Sequence, residues 1–118
     1  MRKFLILLIG SLAFYSCYYD VEEELYPDGC RTDNVTYSGI VQPILQDKCY
    51  ACHNSSLQLG GVDLQQFDSL QKVVDSGKLL AAIKHEADAE PMPQGGAKLP
   101  ECTILRIETW INNGAPND

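Results

Sequence analysis

The chain has 118 residues, enough for one small domain and too few for a second catalytic one. Its 16 Asp and Glu outnumber nine Lys and Arg, for a formal net charge of −7. An acidic balance of this size argues against nucleic acid as a partner and against adsorption to anionic lipid by charge alone; its plain meaning is solubility.

Arg2 and Lys3 form a basic start, and the run from Phe4 to Phe14 is apolar apart from Gly10 and Ser11. Such a run is too short to cross a bilayer, which takes about 20 residues, and fits the apolar part of an export leader. Ser16-Cys17 follows where cleavage would fall, and a small residue before cysteine resembles the processing site of bacterial lipoproteins, although Phe14 and Tyr15 are bulkier than usual there. The expectation is a signal peptide over residues 1–16 and a lipid on Cys17, the sole route to a membrane. Losing Arg2 and Lys3 would leave the mature chain more acidic still. Residues 17–36 read as a lipidated tether: Asp20 to Glu24 is acidic and without period, and Pro27-Asp28-Gly29 signals a turn.

The folded domain is expected over 37–118. Ile40, Val41, Ile44 and Leu45 recur at helical spacing, with Thr36 or Ser38 as cap and Pro43 either near the start or at a kink. This helix leads into Cys49-Tyr50-Ala51-Cys52-His53, the C-x-x-C-H signature of covalent haem attachment. The spacing follows from the chemistry. Two thiols add to the two vinyl groups on one edge of the macrocycle, and the next residue carries its imidazole beneath the iron as proximal ligand. The competing uses of C-x-x-C are half of a zinc site or a dithiol redox pair. A zinc site needs a second cluster of ligands, and the only other histidine is His85; a redox pair normally opens a helix in a βαβ unit, and no such alternation surrounds this one.

Beyond His53, Gly60-Gly61 predicts a tight loop near the haem edge. Phe67, Leu70, Val73 and Val74 predict a second helix capped by Gly77; Leu79, Leu80 and Ile83 predict a short third one ending near His85. Residues 86–98 are irregular and contain Pro91-Met92-Pro93 and Gly95-Gly96. Met92 is the first candidate for the sixth position on the iron, because its soft, neutral thioether favours the reduced metal and the flanking prolines restrict the loop before it closes. His85 is the competitor; otherwise it is an exposed helix-end residue. Pro100 opens the last helix, whose Ile104, Ile107 and Ile111 share a face with Leu105 and Trp110 beside it, and Gly114 and Pro116 end it. No stretch alternates with period two, so the domain reads as all-α.

Of five cysteines, Cys17, Cys49 and Cys52 are accounted for, leaving Cys30 and Cys102. An exported chain pairs its spare thiols, so a disulfide is expected to fasten the arm to the last helix, the alternative being two free buried thiols.

The order helix, C-x-x-C-H, helices, methionine loop, terminal helix resembles a class I c-type cytochrome. Val41-Gln42-Pro43-Ile44-Leu45 ahead of the haem motif, Met92-Pro93 with Gly95-Gly96, and Trp110-Ile111 with Gly114-Ala115-Pro116 resemble more narrowly the planctomycete-type cytochrome c domain, over about residues 37–117. The resemblance implies a small monohaem fold of about four helices around one covalent haem c, with Cys49 and Cys52 as thioether residues, His53 proximal and Met92 distal. It implies electron transfer; such domains also occur attached to enzymes, and the short chain favours a free-standing one-electron carrier, which the leader would place among redox partner proteins in the envelope of a Gram-negative-type bacterium. The rival is a haem protein with an open sixth site that senses a small molecule or acts on peroxide. Tyr37, Lys98 and Arg106 are the candidate contacts for the haem propionates.

Overall fold

The computed structural model describes residues 29–118; the leader, Cys17 and the acidic stretch 20–24 lie outside the described residues. Among the described residues there are helices and turns and no strand, an all-α, cytochrome c-like arrangement. None of these helices is long and apolar enough to cross a membrane.

A π-helical turn, Tyr37–Val41, runs directly into α1, Gln42–Lys48. Thr36 is its cap: the Thr36 hydroxyl accepts the Gly39 N–H at 3.2 Å. A Cβ on Gly39 would lie 2.7 Å from that oxygen, so this cap requires glycine at 39. The Val41 N–H reaches back five residues to the Thr36 carbonyl, which is what widens the turn. Pro43 is the second residue of α1, near its start as expected, where its missing N–H is tolerated and causes no kink. Two more N–H groups of the opening turn are met from the far end of the chain. Tyr37 donates to Oδ1 of Asp118 at 2.7 Å, and Ser38 to the Asp118 backbone oxygen at 2.9 Å. A carboxylate at a helix start also suits the helix dipole.

The remaining helices are α2 (Tyr50–His53), α3 (Phe67–Asp75), α4 (Lys78–Lys84) and α5 (Glu101–Asn112), with a 3₁₀ turn at Leu59–Gly61. Leu70 and Val74 of α3 are buried as their spacing requires, and Gly77, at φ 73°, ends that helix and begins α4. In α5 the buried stripe is Ile104, Ile107 and Trp110; Ile111 is half-buried and Leu105 exposed. Pro100 stands one residue before the helix, as its cap residue, rather than opening it.

Trp110 is fully buried where α5 lies against the π-helical turn. Its ring stacks on Tyr37 (centroids 5.7 Å, planes 29° apart), and Phe67 meets Tyr37 edge-on at 4.9 Å. The indole Nε1–H donates to the Pro116 carbonyl at 2.9 Å, so the one polar atom of the buried ring is satisfied. Val35 joins this core, and a disulfide between Cys30 and Cys102 ties the arm to the first turn of α5 (Cα–Cα 5.4 Å).

Candidate functional site

Cys49 closes α1: its N–H bonds to the Leu45 carbonyl at 2.8 Å, and its own carbonyl receives the N–H groups of Cys52 and His53 at 3.1 and 2.9 Å. The five-residue motif is therefore a single helical turn. Cys49 and Cys52, three apart, share one side of it, and His53 follows at its end. Asn54 then reverses the chain. Its amide nitrogen donates to the Tyr50 carbonyl, and its Oδ1 accepts from Ser56 and Leu57. The returning segment docks where the Leu64 N–H meets the His53 carbonyl at 2.9 Å.

Cys49, Cys52, His53 and Met92 all line one cavity of about 680 Å³. The rest of its wall is mainly apolar: Val62 and Leu64 from the returning segment, Val73 from α3, and Leu79, Ala82 and Ile83 from α4. A volume of that order accepts a whole prosthetic group. Cys49 is half-buried, and burial pushes its thiol up to about 11; Cys52 is exposed. Nδ1 of His53 is buried without a hydrogen-bond partner, and so is the Tyr50 hydroxyl, whose pKa burial raises above the ordinary phenol value.

These residues fit a covalent haem. Two thiols, an imidazole and a thioether line one mainly apolar space. A zinc site would gather three or four His, Cys or acidic side chains, and no such group occurs among the described residues.

Met92 is held by its backbone. Its N–H donates to the Ala82 carbonyl at 3.0 Å, and its carbonyl lies 2.9 Å from Nε2 of His85. His85 does not line the cavity, and its ring faces a carbonyl. Tyr37, Lys98 and Arg106 do not line it either. Tyr37 is buried in the aromatic cluster, Lys98 pairs with Glu101, and Arg106 donates to the Arg31 carbonyl. The lysines that do reach the cavity are Lys48 and Lys78. Sequence reasoning passed over both, though Lys48 adjoins the motif and Lys78 begins a helix just after Gly77. Cys30 and Cys102 lie apart from the cavity.

Residues 49–95 match the family model described as Planctomycete cytochrome C. No curated protein and no solved structure matches the chain. The matched stretch runs from the first haem-motif cysteine through Met92 to Gly95, and over it the chain resembles the planctomycete-type cytochrome c domain. A cytochrome c domain is a haem-binding electron-transfer module, and residues 49–95 are similar to one.

Proposed function

We propose that this chain is a membrane-tethered one-electron carrier with a single covalent haem c, His53 its proximal ligand and Met92 its distal ligand. The observation that carries the reading is the meeting of Cys49, Cys52, His53 and Met92 on one apolar cavity. The bound haem would supply reversible one-electron exchange at its iron. Cys49 and Cys52 would hold the macrocycle by two thioether bonds from one helical turn. His53 would supply an imidazole nitrogen and Met92 a thioether sulfur to the iron, the thioether favouring the reduced state. Val62, Leu64, Val73 and Ile83 would keep water from the faces of the ring. With both axial positions taken by side chains of this chain, the haem would be left no open site for a substrate, which favours a carrier over an enzyme. Its partners are redox proteins of the cell envelope. The leader and Cys17 support export followed by lipid anchoring on the periplasmic or outer face.

A pyridine haemochrome assay on the exported protein, followed by a spectrum of the reduced protein with and without carbon monoxide, tests this. The expected result is one covalent haem per chain, low-spin and indifferent to carbon monoxide. A high-spin protein that binds carbon monoxide would favour the sensor or peroxidase-like alternative, and a haem-free protein would end both readings.

A further inference from the structure

A thioether carried on a loop is a poor ligand unless the backbone behind it is fixed, because an untethered loop gives up conformational entropy each time the bond forms. The loop around Met92 is fixed at two points, both on the end of α4. The Met92 N–H donates to the Ala82 carbonyl, and the Met92 carbonyl sits 2.9 Å from Nε2 of His85. A carbonyl only accepts, so Nε2 must carry the hydrogen in this contact.

His85 reaches that carbonyl from an uncommon backbone conformation. It caps α4 in the left-handed region, at φ 58° and ψ 45°, with its N–H on the Ala82 carbonyl at 3.2 Å. Helices commonly end in this way on glycine, and Gly77 ends α3 so. A side chain is disfavoured there and persists where the surroundings hold it. Glycine would serve the backbone at 85 better than histidine does. The ring therefore needs a reason of its own, and the Met92 carbonyl is the partner it meets.

Resting on the reading of Met92 as the distal ligand, we propose that His85 is a positioning residue for Met92. Its Nε2–H holds the Met92 carbonyl while Ala82 holds the amide, so the thioether is presented to the cavity by a backbone clamped on both sides. On this view the imidazole governs how firmly sulfur occupies the sixth position and how readily an outside ligand displaces it.

The test uses the full-length, haem-loaded protein as wild type, His85→Gly, His85→Asn and Met92→Ala. Glycine keeps the left-handed cap and removes the ring. Asparagine tolerates the same backbone and restores a shorter donor. Two readouts are taken: the ferric charge-transfer band that marks sulfur on iron, and the affinity for added imidazole. His85→Gly should weaken the band and tighten imidazole binding about tenfold, the scale of one lost hydrogen bond. His85→Asn should fall between it and wild type, and Met92→Ala should lose the band altogether. If Met92→Ala loses the band but His85→Gly matches wild type in both readouts, the positioning role is overturned and the ligand assignment stands. If Met92→Ala leaves the wild-type spectrum intact, the ligand assignment fails and takes the positioning role with it. Far-UV circular dichroism of each variant separates either result from unfolding.

Discussion

Two neighbouring helices, α4 and α5, make different use of their apolar residues. Around α5 the side chains meet one another: Ile104, Ile107 and Trp110 are at most 2% exposed, and the indole N–H has its acceptor. Around α4, Leu79 and Ile83 are buried in the same core and, with Ala82, also wall the cavity that His53 and Met92 line. One region is finished by its own residues and the other is shaped to be finished by an occupant. Stability and site are thus assigned to different faces of one small core, and damage to either should leave a distinct signature.

The largest effect should come from opening the finished side. Trp110→Ala removes the ring that stacks on Tyr37 and strands the Pro116 carbonyl, and truncations of this kind cost about 3–5 kcal/mol. Denaturant unfolding should show that loss, while the fraction that stays folded keeps the visible spectrum of the parent. A spectrum that changed in step with stability would mean that the two regions are not separate.

Next comes the pair Cys30→Ser with Cys102→Ser. The bridge closes a sequence separation of 72 residues and lies away from the cavity. Its removal should cost about 2–4 kcal/mol, chiefly by freeing the unfolded chain, and should leave the spectrum unchanged. Thermal melts with and without reductant read the first effect, and thiol titration of the denatured, unreduced wild type should find neither residue free.

How much of this division could be read beforehand differs by element. The spacing of Leu70 and Val74 announced α3 and its buried face, and Cys30 and Cys102 could be paired because the other three cysteines had uses. In α5, a stripe through 104, 107 and 111 and one through 104, 107 and 110 are both helical. The rings of Tyr37 and Phe67 decide for Trp110, and they come from distant sequence. Pro43 showed that a donor was missing but not that the preceding turn would widen to reach Thr36. Cys49, Cys52, His53 and Met92 stood out by type and spacing. The clamp behind Met92 did not, because it depends on a histidine in a left-handed conformation, which no local pattern announces.

A smaller effect is expected at the seam between the regions, where Lys84 of α4 pairs with Glu108 of α5, both partly exposed. Lys84→Met should cost less than about 1 kcal/mol, and the difference should shrink as salt is added. Equal losses at low and high salt would assign the contact to packing instead.

The smallest effect sharpens the cavity side alone. In haem-free protein, burial holds Cys49 protonated up to about 11 against an ordinary thiol's 9.0. Iodoacetamide should therefore modify exposed Cys52 ahead of Cys49 at neutral pH, with the Cys49 rate still climbing toward pH 11. The sign for stability follows: between those two values the unfolded chain has given up a proton that the folded chain keeps, so rising pH weakens the haem-free fold. Peptide mapping of the alkylated protein measures the order of modification.

The bond between Cys30 and Cys102 also has a topological consequence. It makes a covalent ring of the intervening chain, and Cys49, Cys52, His53 and Met92 all lie on that ring. A protease that cuts once between residues 31 and 101 would open the ring without dividing the molecule. Both pieces would remain one covalent body with all four side chains aboard, and they would part only on reduction of the bridge.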